Sequence, residues 1–561
     1  MHDLVIRNAE IVDGTGKPAF TGAIAVDGGK IAALGHNVGG GRETIEAGGL
    51  TLAPGIIDSH THYDAQLTWD AYATPSTELG VTTVVIGNCG FTIAPCRPAD
   101  RERTLRNLTQ VEGMSLEALM TGTRWEFESF PEYLDMLSNI GVVPNVAAFC
   151  GHSSLRTWVM GEDATRRAAT ADEIAAMKAL LKEAMRAGAV GFANSTFEGH
   201  NGWGGTPMPS RLAEDSETRA LVNTLGEVGR GLYMLTKGNV TSIPYLESLA
   251  ADSGRPVMIA AVVYDHANPT RAFDDMAKIG EAVGRGRRLY GQITCTPATM
   301  DFRLDGAYLF EAMKAWNPAI KLYAKPTELK RLFADATFRA GIRDELVGTG
   351  AFNRFTDQWH TLEIVEVAKP AHASFVGQNV ATLAAADGKH PLDWLLDFGI
   401  AEDLGTRFTA QIANIDEEKV LRLLKDPNSS VALSDAGAHL TLFCDAGFGL
   451  HLLGRWVRER KDLTLEAAVH ELSGKPARIF GLKGRGTVAV GQAADLILFD
   501  RDRVGRGPKR LVNDLLTGAA RLVTPAVGLH GVWVNGQRIA DEHGLLDSKV
   551  RPGQVLRDFA A

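Results

Sequence analysis

The 561-residue chain has few cysteines, five in all (Cys89, Cys96, Cys150, Cys295, Cys444), odd in number and scattered. That excludes a disulfide framework of the kind small secreted domains use. Long apolar runs are missing too. Nothing approaches the 18 or so uninterrupted apolar residues of a membrane helix, and the first residues, MHDLVIRNAEIVDG, show neither the basic nor the apolar region of a secretory leader. There is no block of basic residues: 58 Lys+Arg stand against 67 Asp+Glu, a formal charge of −9. This balance argues against nucleic acid and anionic membranes as partners. Internal repeats, low-complexity tracts, a nucleophile elbow and a phosphate-binding loop are likewise absent. The expectation is a soluble, cytoplasmic globular protein, its oligomeric state left open.

Glycine and apolar residues are plentiful instead. Sixty glycines and 45% hydrophobic residues supply many turns and a large core, against an average glycine usage of roughly 7%. The first 50 residues alternate short β-branched runs with Asp-Gly and Gly-Gly pairs, which reads as strands and hairpins. The same texture returns in Gly486–Gly491, Ala494–Phe499 and Val532–Gly536. Two β-rich ends predict one small β-sandwich assembled from both termini (1–53 and 483–561).

Between them, over 54–482, buried runs such as Val81–Ile86, Ala189–Phe192, Val257–Val263 and Val431–Leu433 alternate with helical patterns. In one helix Thr170 and Glu173 form a capping box; Ile174, Met177, Leu180, Leu181 and Met185 share a face, and Gly188 supplies the stop. About eight such units predict an α/β fold, a closed (β/α)8 TIM-like barrel. Insertions near Arg101–Tyr133 and Ala298–Trp359 account for the extra length.

Chemistry concentrates in two places. In Gly55-Ile56-Ile57-Asp58-Ser59-His60-Thr61-His62 an apolar strand ends in two histidines two apart, so both side chains share one face at the strand's C-terminal end. Barrel enzymes build their sites there, and paired neutral imidazoles suit Zn2+; the competing reading is a polar loop start. In Val431-Ala432-Leu433-Ser434-Asp435 a second buried strand ends in a carboxylate, which either caps the following turn or works beside a metal as ligand and proton acceptor. His439 is the weaker neighbour of that carboxylate.

The block Ala53–His62, the late Ser434-Asp435 and the closing Gly491-Gln492-Ala493-Ala494-Asp495-Leu496-Ile497 together resemble the amidohydrolase superfamily. More narrowly, Gly80–Gly90 with its Gly-Asn-Cys-Gly, the Gly151-His152-Ser153-Ser154-Leu155-Arg156 segment and Met160-Gly161 resemble the N-acyl-D-amino-acid deacylase (D-aminoacylase) branch. The resemblance spans nearly the whole chain and implies a barrel with a β-sandwich. It also implies that Cys89 is a metal ligand in place of a carboxylated lysine.

The chain departs from that branch where two more histidine ligands are expected. The fifth strand reads Tyr233-Met234-Leu235-Thr236-Lys237, and the sixth reaches no histidine before His266, several residues out of register. A single zinc on His60, His62 and Asp435, completed by Cys89, is therefore the expected centre. Lys237 joins as a ligand if carboxylated or deprotonated; otherwise it turns its ammonium to the substrate or to solvent. Arg211 is a candidate to grip a substrate carboxylate, and His152 and Arg156 to orient the scissile carbonyl, with packing at the rim as the competing account.

The expected reaction is hydrolysis of the amide of an N-acyl amino acid by metal-activated water, Asp435 serving as general base and then acid. The partner is a small-molecule amide. Two alternatives stand beside it: hydrolysis of a cyclic amide or another C–N bond, disfavoured by the lack of lysine in Ala189–Asn194, and a non-catalytic binding protein on a decayed barrel.

Overall fold

The structure is a computed structural model that describes residues 1–311, 313–346, 355, 357–438, 440–441, 445–546 and 549–561. Eight short strands form one parallel sheet in chain order: Ile56–Asp58, Val81–Ile86, Asn145–Gly151, Gly191–Ser195, Leu232–Thr236, Val257–Ala260, Leu289–Ile293 and Ser429–Val431. Strands of this kind are buried on both faces, which explains runs such as Val81–Ile86 with no polar alternation. The eighth strand returns to the first through a parallel bridge, Thr61 to Ala436, and His62 N–H donates to Ala436 O at 2.7 Å. The sheet thus closes as the expected barrel, and its seam lies at the C-terminal rim. The predicted helix is Ala171–Ala187, with the Thr170–Glu173 capping box and Gly188 at φ +116°.

Both termini build one mixed sheet of nine strands. His2–Ile11, Phe20–Asp27, Lys30–Gly35, Gly41–Glu46 and Thr51–Pro54 come from the N-terminus; Leu496–Phe499, Leu529–Val534, Gln537–Asp541 and Gly544–Leu545 come from the C-terminus. Thr51–Pro54 pairs antiparallel with Leu496–Phe499, so the two ends meet inside the sheet. Its core gathers Leu4, Ile6, Ile24, Leu52, Leu496 and Trp533. Asp495, from the motif that closes the family resemblance, fastens this sheet to the base of the barrel. It accepts from Asn535 N–H at 2.8 Å and from Asn145 Nδ2, at the start of the third barrel strand, at 3.1 Å, and it pairs with Arg485.

The later insertion is larger than the sequence suggests. Ala298–Phe302, Leu362–Glu366 and Arg407–Ala413 make a separate antiparallel sheet, with helices including Pro326–Ala334, Ala336–Leu346 and Pro391–Ala401 around it. This body has its own aromatic core of Phe310, Trp316, Phe333, Phe355, Trp359 and Phe408. Its helices and strands alternate as barrel units do, so periodicity alone does not separate them. The earlier insertion is helical: Arg101–Glu112, Leu116–Gly122 and Phe130–Ile140.

A β-finger, 505–527, leaves the terminal sheet and reaches the rim. It is held by the pairs Gly505–Arg506 with Ala526–Val527 and Arg510–Val512 with Arg521–Val523. Leu522 N–H donates to Leu440 O at 2.7 Å, Arg521 binds Thr74, and Lys509 reaches Thr299 of the insertion. Among the described residues no helix is long and apolar enough to cross a membrane.

Candidate metal centre

His60 and His62 leave the first barrel strand on the same side, as a two-residue spacing dictates. Closure of the seam brings the end of the eighth strand against them. Asp435 Oδ1 lies 3.2 Å from His60 Nε2 and 3.5 Å from His62 Nε2. Ser434 Oγ donates to His60 O at 3.2 Å, tying the two strand ends together. Gly437, at φ +88°, makes the approach possible, since a Cβ there would stand 2.7 Å from the backbone of His62. The second strand contributes Cys89, whose Sγ is 3.6 Å from His60 Nε2. Cys89 and Asp435 both hold left-handed backbone conformations, φ +57° and +47°.

The ligand atoms of His60, His62 and Cys89 all lie within 4.8 Å of one another. Zinc bonds of about 2.0–2.3 Å in a tetrahedron separate neighbouring donors by roughly 3.3–3.8 Å. The separations of 3.2, 3.5 and 3.6 Å match three of those edges, so the residues present fit one such ion. The histidines are buried, whereas the Asp435 side chain is 26% exposed, enough to meet a substrate from the rim. Burial works to lower the His60 pKa, but Asp435 and Cys89 outweigh it and raise it. Burial likewise pushes the Cys89 thiol up, yet the two histidines overcome it and draw the group toward thiolate. Beneath them Asp58 is fully enclosed, and burial pushes its carboxyl up to about 7 against the Ser434 and His60 hydrogen bonds.

Two residues play parts in this site that sequence reasoning missed. Gln292, on the seventh strand, faces His60 Nδ1 with Oε1 at 2.7 Å. Thr236, standing where a histidine was expected, places Oγ1 3.0 Å from Cys89 Sγ. The only local signal for Gln292 is a polar residue in the otherwise apolar or small run Leu289-Tyr290-Gly291-Gln292-Ile293.

Four other predicted residues are engaged elsewhere. Lys237 Nζ pairs with Asp275 Oδ2 of the helix Arg271–Gly284 at 3.1 Å. His152 Nε2 and Arg156 Nη1 both bind Glu217, at 2.8 and 2.5 Å, in a fully buried network behind the wall of the barrel. Arg156 also donates to Arg167 O at 2.8 Å. Neither side chain is accessible to a substrate, so the packing account replaces the binding one. Arg211 Nη1 donates to His200 O at 3.1 Å and to Asn201 Oδ1, which braces the loop after the fourth strand. His266 is exposed in the turn Asp265–Asn268, and His439 lies outside the described residues.

Residues 43–540 match the sequence profile of the amidohydrolase family. N-acyl-D-aspartate deacylase of Alcaligenes xylosoxydans xylosoxydans is 30% identical, the match covering 99% of this chain and 95% of that protein. Among solved structures, a D-aminoacylase whose binuclear metal centre is described by one-metal activation and second-metal attenuation superposes with a TM-score of 0.67, at 25% identity over 100% of both chains. An N-acyl-D-glutamate deacylase from Bordetella bronchiseptica, complexed with zinc and a phosphonate mimic of the tetrahedral intermediate, gives 0.63, at 26% identity over 99% of this chain and 100% of that one.

Proposed function

The chain belongs to the amidohydrolase family and is a metal-dependent hydrolase of C–N bonds other than peptide bonds, and from that premise we propose that it removes the acyl group from N-acylated amino acids with one zinc ion. The observation that carries this is the convergence of His60, His62 and Cys89 within 4.8 Å of one another, with Asp435 3.2 and 3.5 Å from the two histidines. His60, His62 and Asp435 would hold the ion, with Cys89 completing the set. When bound, zinc is a Lewis acid that makes water acidic near neutral pH and polarises a carbonyl oxygen. Asp435 stands at the edge of that cluster with part of its side chain open to the rim. Its carboxylate accepts the proton of the attacking water and returns it to the departing amine nitrogen.

A single ion is supported by what the fifth and sixth strands offer. Thr236 ends one and Ala260 the other, and among the described residues no second set of His, Cys, Asp or Glu donors gathers beside the first. The substrate class is supported by the deacylase relatives, which act on N-acyl-D-amino acids by their names.

Metal analysis of the purified protein, together with hydrolysis of a panel of N-acyl D- and L-amino acids, tests both halves. One zinc per chain and cleavage within the panel are expected. Two ions per chain would overturn the single-ion centre, and no cleavage of any acyl amide would overturn the substrate class.

A further inference from the structure

Gln292 lies on the seventh barrel strand, 232 residues from His60 in sequence, and is completely buried. Its amide has two ends of opposite character, and the surroundings fix which end faces which neighbour. One end lies 3.4 Å from the carbonyl oxygen of Ser59 and 3.2 Å from Ser59 Oγ. A carbonyl oxygen only accepts, so that end is the NH2 group. The other end, 2.7 Å from His60 Nδ1, is then the amide oxygen. An amide oxygen only accepts, so His60 Nδ1 carries the proton. In a neutral imidazole the lone pair is left on Nε2, the atom that faces Asp435 Oδ1 and Cys89 Sγ.

We propose that Gln292 is a positioning residue for the metal centre: held by Ser59, its amide locks the His60 ring and tautomer so that Nε2 is presented as a ligand. The device is compact because Ser59 precedes His60, so one side chain grips two successive residues of the strand end. It is also neutral. A carboxylate at this position would accept the same hydrogen bond and make the imidazole a stronger donor to a metal; an amide sets the orientation without adding a charge to a cluster that already holds Asp435 and Cys89.

The inference rests on the metal-dependent reading above, and its test separates the two. Zinc affinity is measured by chelator competition on the full chain for wild type, Q292N and Q292E, beside the thermal midpoint of each metal-free protein. Q292N keeps the amide but withdraws it from His60; a 10- to 100-fold weaker zinc affinity is expected, roughly the range for loss of a ligand's supporting hydrogen bond. Q292E keeps the reach and the acceptor but gives up the NH2 group that Ser59 O accepts, so an affinity between those of wild type and Q292N is expected. With Co2+ as the probe, Q292N should perturb the visible bands from the histidine field while the thiolate charge-transfer band of Cys89 persists. If Q292N matches wild type, or if Q292E loses as much as Q292N, the positioning role is overturned while the metal reading stands. Equal losses that track a fall in the metal-free midpoint would assign Gln292 to packing alone. If wild type itself takes up no zinc, it is the metal reading that fails.

Discussion

At the N-terminal end of the barrel Asp495 is surrounded by donors: the Asn535 N–H, the Asn145 amide and the Arg485 guanidinium. Asn145 Oδ1 in turn accepts from Asn535 Nδ2 at 2.9 Å and from Gln554 N–H at 3.2 Å. At the C-terminal end Asp435 faces His60 and His62, and Cys89 lies against His60. Both clusters are polar, mostly buried and assembled from distant segments. The first is closed because every acceptor already has its donor, and so it fastens the terminal sheet to the barrel. The second brings imidazole, thiol and carboxylate groups together at the rim, donor types that suit a cation. The kind of partner each carboxylate meets, more than burial, separates the clamp from the candidate site.

Exchanging the effects of the two aspartates would break this comparison. Asp435→Asn should lower deacylation roughly 100- to 10,000-fold while the metal-free thermal midpoint stays put, as steady-state kinetics and calorimetry would register. Asp495→Ala should do the opposite, leaving Arg485 and Asn145 buried without their partner at a cost of about 3–5 kcal/mol in denaturant unfolding, with kcat little changed in the folded fraction. Should Asp495→Ala fold normally and lose activity instead, the base would no longer count as purely structural.

Removing metal gives a smaller contrast. With free zinc at 100 times its Kd, holo protein should exceed apo by about 2.7 kcal/mol. The same increment is expected in Asp495→Ala, since the ion acts at the other end.

The buried wall network sharpens the picture through pH. Burial alone would raise the Glu217 carboxyl, but His152 and Arg156 outweigh it and hold it low; burial also lowers His152. Both shifts are depressions, so their stabilisation is full above the ordinary values of 6.5 and 4.5 and is lost as pH falls through the folded ones. Glu217→Gln should therefore flatten a plot of thermal midpoint against pH below 4.5, where the carboxylate would take up its proton, while the His152 limb that begins at 6.5 remains. Smallest of all, Thr170→Ala removes the cap of Ala171–Ala187 and should cost about 1 kcal/mol with no change in activity.

His60, His62 and Asp435 were legible because each follows an apolar run, and a spacing of two keeps the two histidines on one side. Cys89 was not legible from its own surroundings; only the resemblance marked it. Lys237, Arg211, His152 and Arg156 stayed open in the sequence, each with more than one account, for one reason. A charged residue after a barrel strand points either into the mouth or behind the wall, and its partner decides which. For Lys237 that partner is Asp275, and for His152 and Arg156 it is Glu217; both carboxylates lie on helices well along the chain.

Local order is what the sequence determined by itself: the strand and helix periods, the capping box at Thr170, the strand-end histidines and the β-rich termini that find each other. These depend on dihedral preference and on apolar spacing over a few residues. Tertiary structure alone decided that Gln292 grips His60, that Thr236 stands against Cys89, and that 298–413 forms a body with its own core. Such contacts join segments far apart in the chain, and their energy depends on closing the barrel at the Thr61–Ala436 seam, which no short window of sequence contains.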